Sequence, residues 1–436
     1  MTLQRAEKYA YYFALALVVY MPLHIFLAQS LSSITGGLEL YKAAKDVILV
    51  LAVFPLLFLA YKQGAFKSLF FRRFIMLGVC YAALYLLFLL FDNNADTKSA
   101  ITASVYNCRP LGYLLLGYVV ANSKMGKYYA KSLLKTALIM CLIVASFGVL
   151  QYFLPKDFLT HFGYSLARGV KPMFFIDDKP DFPRVMSTLR DPNSLGAFLA
   201  LPITYCVYFL FIKKGKQVYK VLSDNWLRLL LVTSTLCLLF TFSRSGLVTV
   251  FVSLVTMLAV SIKNKRSYAK RYAPLAIVVL VASASLLFVA RNTYTVQNII
   301  LHSDKSSAQL DPNELRLSFG AKAINHIKQY PFGEGPGTAG LVAISNPAGG
   351  VLTENYYLQI AYEVGVLGLL LFVAIYGYVL LRLYKLRSSN LAIVMFCVGV
   401  GVAFFSLLNH SWSNEALALQ WWLLAGAIIG TVKSNS

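Results

Sequence analysis

Apolar runs of about 18 residues or more recur along almost the whole chain, each long enough to span a bilayer as a helix. In hydrocarbon every backbone N–H and C=O must find its partner inside the protein, so a chain of this kind has few folds open to it. Only 13% of the 436 residues are charged and 58% are hydrophobic; soluble domains carry about twice that charged fraction. The expected fold is therefore all-α: a polytopic membrane protein with about twelve transmembrane helices. The expected spans are 9–29, 42–61, 74–92, 104–121, 134–154, 193–212, 225–242, 244–262, 273–291, 356–381, 390–409 and 413–432. Arg5 and Lys8 precede the first run, which is long and lacks a small-residue cleavage site. It reads as a spanning helix, not a removed signal peptide.

Orientation follows from the basic residues. With the N-terminus inside, the inner segments hold Lys62, Lys67, Arg72 and Arg73, then Lys124, Lys127, Lys131 and Lys135. Lys213, Lys214, Lys216 and Lys220 follow, then Lys263, Lys265, Arg266, Lys270 and Arg271, and finally Arg382, Lys385 and Arg387. Every alternation agrees with the positive-inside rule, giving N-in and C-in. By this topology 24 of the 40 Lys and Arg face the cytoplasm beside two acids, Glu7 and Asp224. The remaining 16 bases are matched by 16 acids, so the whole net charge of +22 is cytoplasmic. The basicity is a topology signal with attraction to anionic lipid, and nucleic acid is not an expected partner. Cys80, Cys108, Cys141, Cys206, Cys237 and Cys397 lie in separate apolar runs without ligand spacing, as small packing residues do.

Two connections are long and both face outward, which divides the chain into 1–154, 155–192, 193–291, 292–355 and 356–436. The second and fourth of these are expected to be structured outer loops, because long loops are uncommon unless functional or disordered. No internal repeat or matched pair of broken helices is visible, which weakens a transporter built from inverted repeats.

In the second loop, Asp311-Pro312-Asn313-Glu314 has the form of a capping box opening a helix to Tyr330. At about 100° per residue, Leu315, Leu317, Phe319, Gly320, Ala321, Ala323, Ile324 and Ile327 form a broad apolar arc with Arg316 near its centre. A buried arginine needs a partner, so Arg316 is either a brace for a carboxylate or a clamp for an anion. His326 falls at the edge and reads as an ordinary border histidine. Gly333-Glu334-Gly335-Pro336-Gly337 is a tight turn whose backbone could approach a phosphate, a weak signal by itself. Thr353 suits the N-cap of the next span, putting Glu354 in its first turn. Glu354 is then either a carboxylate favoured by the helix dipole or a general base. Glu363 lies roughly 13.5 Å further along that helix, where an acid is normally paired or functional.

Thr241-Phe242-Ser243-Arg244-Ser245-Gly246 is a very tight outer turn. Arg244 has no topological reason to be there, though an interfacial anchor remains open. In the first loop, Arg184 and Arg190 precede the helix-start signature Asp191-Pro192-Asn193, with Asp177, Asp178 and Asp181 near enough to neutralise them. Arg109 is a weaker candidate. Arginine suits bidentate phosphate binding, and no metal-ligand cluster is visible, so arginines would stabilise charge.

These segments resemble the O-antigen ligase and O-antigen polymerase superfamily. The Ser243-Arg244-Ser245-Gly246 turn, Arg316 with Pro331-Phe332-Gly333-Glu334-Gly335, Glu354-Asn355-Tyr356-Tyr357-Leu358-Gln359 with Glu363-x-Gly365 and Gly368, and Arg190-Asp191-Pro192-Asn193 match its motifs in order. The resemblance implies a metal-independent, inverting glycosyltransferase of the polytopic GT-C type, without cofactor, in a bacterial inner membrane. Its donor would be a glycan on undecaprenyl pyrophosphate, and its acceptor a glycan or lipid core. A chain-length regulator is a further partner to test for. Arg244 and Arg316 match the pyrophosphate-binding arginines and Glu354 is the expected base. Arg184, Arg190, Asn193, Asn355, Tyr356 and Gly335 are expected substrate contacts. The departure is Glu354, where ligases carry histidine, and it leans towards a repeat-unit polymerase. A ligase, and in another class a transporter of lipid-linked glycan, are the alternatives.

The topology has a direct test. A fluorescent protein fused after Ser436 should light up, and a phosphatase reporter inserted in 155–192 should be active. The opposite pattern would invert the map.

Overall fold

A computed structural model describes residues 2–91, 94–176, 179–213, 219–264 and 312–432. Every expected span among these residues falls on a helix; the span expected at 273–291 lies outside them, as do Asp177, Asp178 and Asp311. Helix α1 (Leu3–Tyr20) continues through a tight turn at Pro22 into α2 (His24–Thr35). Then come α3 (Leu38–Lys62), α4 (Leu69–Phe91), α5 (Thr97–Ala121) and α6 (Gly126–Gln151). After the first long connection follow α7 (Pro192–Phe198), α8 (Ala200–Val207), α9 (Asp224–Phe240) and α10 (Arg244–Asn264). The last described stretch holds α11 (Pro312–Gln329), α12 (Gly340–Ala343), α13 (Tyr356–Lys385), α14 (Asn390–Phe405) and α15 (Glu415–Gly430). Among the described residues seven segments are long and apolar enough to cross a membrane, with α14 and α15 shorter apolar helices.

The helices are apolar on both sides, as lipid demands. Phe54, Phe58, Val79, Leu90, Leu367 and Leu370 are exposed, while Leu49, Leu56, Tyr81, Tyr85, Phe372 and Ile375 on the same helices are buried. With no hydrophobic drive between helices in hydrocarbon, close backbone approach at small residues does the packing. A Cβ at Gly117 would lie 2.0 Å from the Leu423 carbonyl oxygen, and one at Gly426 would lie 2.2 Å from that of Leu114. This seats α15 against α5 at the centre of the bundle.

The two long connections differ from simple loops. The first contains the described strands, β1 (Phe174–Ile176) paired antiparallel with β2 (Lys179–Arg184). It is tied down by Arg168, whose Nε donates to Gln29 Oε1 at 3.1 Å, and by Gln151 Oε1, which accepts from the amides of Met186 and Ser187. At the opposite end of the bundle Gln63 Nε2 donates to Glu7 Oε1 and to the Val119 carbonyl, and Phe70 stacks on Tyr378. Lys62, Lys67 and Lys124 line a cavity there with Glu7 and Gln63, and Arg382 lies over the Phe70 ring.

Arg109, a candidate site residue by sequence, is committed inside the bundle. Its Nη1 is 3.4 Å from Asp46 Oδ1 and 4.0 Å from Glu415 Oε1, and its Nη2 donates to the Ser413 carbonyl. Lys45 Nζ completes the group, 2.9 Å from Asp46 and 3.6 Å from Glu415. Two cations and two carboxylates balance, which is the only arrangement in which such burial is tolerable. Removing one partner strands a charge. Arg109→Leu should lower stability by about 3–5 kcal/mol, read as a large drop in the detergent-solubilised unfolding midpoint. An unchanged midpoint would show that the network carries no stability.

Candidate active site

A kink in α13 organises the site. Val364 and Gly365 leave helical geometry there, Gly365 with a φ of 73°. The turn Pro331–Gly337 docks into the gap. Glu334 N donates to the Tyr362 carbonyl at 2.9 Å, Gly335 N to that of Glu363 at 2.8 Å, and Val366 N to that of Pro331 at 2.9 Å. Glycine is required by contact: a Cβ at Gly333 would lie 2.5 Å from Gly365 N, and one at Gly365 would lie 2.5 Å from the Phe332 carbonyl. Glu363 is fully buried, and its carboxylate accepts from Asn107 Nδ2 at 2.7 Å and from Gly337 N at 2.9 Å. The expected phosphate cradle is thus spent on the helix. Gly335 enters the site as part of this docking and not as a free donor.

The docked turn fixes the end of α11 over α13. Ala323 packs with Leu358 and Tyr362, while His326 stacks on Tyr362 and Tyr330 with centroids at 4.3 and 4.7 Å. Its Nε2 is 2.9 Å from Glu334 Oε1. The buried stripe is narrower than the periodicity predicts: Phe319, Gly320 and Ile327 are half-buried, and Leu317, Ala321 and Ile324 are exposed. Among the described residues α13 lies beneath α11 and covers one edge of its apolar arc. Arg316 is accordingly half-buried, and its Nε donates to Glu354 Oε2.

Glu354 lies before α13, in left-handed backbone with φ 47°, and not in the first helical turn as expected. Asn355, not Thr353, is the cap; its Oδ1 accepts from Tyr357 N at 2.9 Å and Leu358 N at 3.1 Å. Tyr356 is buried, with its hydroxyl on Asn107 Oδ1 at 3.0 Å. Asn355 and Tyr356 therefore hold the helix start that presents Glu354.

A second cluster forms where α7 and α10 begin. Asp191 Oδ1 caps α7 through the amides of Asn193 and Ser194. A Cβ at Gly246 would lie 2.7 Å from Gly196 Cα, so the two helix starts nearly touch. Asn193 Oδ1 accepts from Ser243 Oγ at 2.9 Å and from Arg184 Nη2 at 3.2 Å, while Arg184 Nε donates to the Thr241 carbonyl. Arg244 is the first residue of α10 and is half-buried. Arg190, half-buried just before the cap, makes no hydrogen bond or ion pair among the described residues. The described non-glycine residues with positive φ, Ser187, Phe242 and Glu354, all lie in these segments, and such strain concentrates at functional sites.

The turn between α14 and α15 joins the two clusters, and sequence reasoning missed it. Asn193 Nδ2 reaches Asn409 Oδ1 at 3.5 Å, and His410 Nδ1 is 2.7 Å from Gln359 Oε1 on α13. Burial first, then the Arg190 charge, lower the His410 pKa to about 3, so the ring is neutral. The available signal was a polar Asn-His pair in a very short connection on the same side as both long loops.

Residues 229–373, which include Arg244, Arg316, Glu354 and Glu363, match the family model described as O-antigen ligase. A protein from Salmonella muenchen named O-antigen polymerase is 21% identical over 297 residues, covering 66% of this chain and 70% of that protein.

The docking at the kink is testable. Gly365→Ala forces a Cβ into backbone at positive φ and should lower the unfolding midpoint, at a cost of about 1–3 kcal/mol or more. Gly377→Ala in the same helix meets nothing within 4 Å and should be neutral or slightly stabilising. Equal midpoints would contradict the docking.

Proposed function

We propose that this member of the O-antigen ligase and polymerase superfamily, a bacterial inner-membrane protein, is an inverting glycosyltransferase working at the outer face. Its donor is a glycan on undecaprenyl pyrophosphate and its acceptor a sugar hydroxyl. The carrying observation is the half-exposed Arg316–Glu354 pair, at the same end of the bundle as Arg184, Arg190 and Arg244. Arginines at an outer membrane surface suit a pyrophosphate, whose planar oxygens they bind bidentately.

The pair also suggests an order of events. In the resting protein Glu354 is held by Arg316. A bound pyrophosphate competes for that guanidinium and releases the carboxylate. Glu354 then takes the proton of the acceptor hydroxyl as its oxygen attacks the anomeric carbon. The bond from that carbon to the phosphate oxygen breaks, and the configuration inverts. Arg316 and Arg244 stabilise the charge that grows on the leaving pyrophosphate, an interaction stronger in the transition state than before it. Arg184 and Arg190 from the first loop, with Asn193 at the start of α7, hold the donor. Asn355, Tyr356 and Gly335 keep Glu354 and Arg316 in register. Charge stabilisation in this scheme comes from arginine, without a metal ion.

Repeat-unit polymerisation is the preferred reading, supported by Glu354 and by the Salmonella relative's name. Ligation to lipid A-core or another surface acceptor is the second, supported by the family model's description. Loss of long chains with single repeats still attached marks a polymerase; loss of all attachment marks a ligase. Membrane-inserted Glu354→Gln and Arg316→Ala proteins should each extend lipid-linked repeats about 100-fold more slowly or worse. Normal rates in both would overturn the assignment. Product formed in detergent, without a sealed membrane, separates a transferase from a transporter.

A further inference from the structure

Where the ends of α3 and α5 meet the starts of α1 and α4, the bundle holds a cavity of about 360 Å³. Small-ligand sites ordinarily measure roughly 300–1,000 Å³. Lys62, Lys67 and Lys124 line it from three segments: the last turn of α3, the α3–α4 connection and the α5–α6 connection. The acid in its wall is Glu7, which is buried and whose Oε1 accepts from Gln63 Nε2 at 3.0 Å. Among the described residues none of the three lysines forms an ion pair, with Glu7 or with any other acid. Asn122, half-buried at the end of α5, also lines the cavity, and its side-chain amide makes no hydrogen bond among the described residues.

Orientation in the membrane asks only that lysines lie on this side. It does not ask three segments to deliver them around one space. Ammonium groups so placed repel one another unless an anion lies between them. A phosphate suits that place, since its oxygens accept from several ammoniums and from an amide at once. The neighbouring surface suits a lipid. Lys62 Nζ lies 5.4 Å from the centroid of the Phe58 ring one turn before it, and Phe58 and Phe54 are exposed on the lipid-facing side of α3. Lys62 thus borders both the cavity and an apolar surface for acyl chains, its stem along the hydrocarbon and its ammonium at headgroup height. The topology read from the basic residues puts this end in the cytoplasm, where the facing leaflet is anionic.

We propose that this cavity binds the phosphate of an anionic phospholipid from the inner leaflet, with Lys62, Lys67 and Lys124 around the phosphate and the acyl chains along Phe58 and Phe54. Glu7 sets the choice of headgroup. A carboxylate accepts from a hydroxyl and repels a second negative charge, so a singly charged, hydroxylated headgroup such as that of phosphatidylglycerol fits better than a free phosphate dianion. The bound lipid joins the ends of α3 and α5 to the starts of α1 and α4. It does so whatever chemistry the outer face performs.

The test titrates the full-length protein in detergent with short-chain phosphatidylglycerol, phosphatidylcholine or inorganic phosphate. Bound ligand is read by native mass spectrometry and by the unfolding midpoint, which a ligand of the folded state raises. Phosphatidylglycerol should bind, and the other two should bind about tenfold more weakly or worse. Each of Lys62→Gln, Lys67→Gln and Lys124→Gln should weaken phosphatidylglycerol about fivefold, and the three together about 100-fold. Arginine at all three positions keeps the charge and should keep binding. An equal loss of charge away from the cavity, Lys127→Gln with Lys385→Gln and Arg387→Gln, should change the affinity by no more than about twofold. Wild-type affinity in the triple glutamine variant overturns the site. So does an equal loss in the distant triple, which would leave only diffuse basicity, or a loss in the arginine variant as large as in the glutamine one. Inorganic phosphate binding as tightly as phosphatidylglycerol overturns the lipid as occupant, and equal binding of phosphatidylcholine overturns the role of charge.

Discussion

The buried carboxylate of Glu363 is the interaction on which the arrangement depends. A lone acid inside a bundle is intolerable, and this one is satisfied by Asn107 on α5 and by the backbone of Gly337 in the second long connection. Those two bonds reach outward in sequence and draw three distant segments to the kink at Val364–Gly365. The kink in turn frees backbone groups that the Pro331–Gly337 turn completes. Arg316 and Glu354 flank this docked unit, one before the turn and one before the helix. Their meeting is a consequence of the docking.

Charge in this protein has two unrelated uses. Most of it is orientation: lysines and arginines collected at the ends of helices, where water and anionic headgroups solvate them. The remainder is chemistry or structure. Arg109 and Lys45 are neutralised by Asp46 and Glu415 in the interior, and so serve the bundle. Arg184, Arg190 and Arg244 sit where the starts of α7 and α10 nearly touch, and Arg316 pairs with Glu354 just before α13. The same residue type thus serves as orientation signal or as brace according to what lies within a few ångströms.

Much of the fold was legible because lipid is an unforgiving solvent. Span positions follow from hydropathy alone, and each described one is helical. The site was legible in part, through short motifs whose members come together: Arg316 with Glu354, and Arg184 with Asn193 and Ser243. Local details were less so. Thr353 and Asn355 are both good caps, and only the left-handed backbone at Glu354 decides between them. The apolar arc of α11 reads as a buried face, yet periodicity cannot say how much of an arc a single neighbouring helix covers. Asn409 and His410 belong to no motif, and their importance lies entirely in what α13 and α7 bring beside them.

The sequence by itself determined the solvent, the helical class and the concentration of unexplained arginines in a few connections, because these depend on composition and local order. Tertiary structure alone decided that Arg109 is a brace inside the bundle while Arg316 meets Glu354 at its end, that the glycine turn serves a helix kink, and that a short Asn-His turn lies between the two clusters. The reason is physical: hydropathy acts residue by residue, whereas a hydrogen bond or ion pair is specified only when both partners, hundreds of residues apart, are held within about 3 Å.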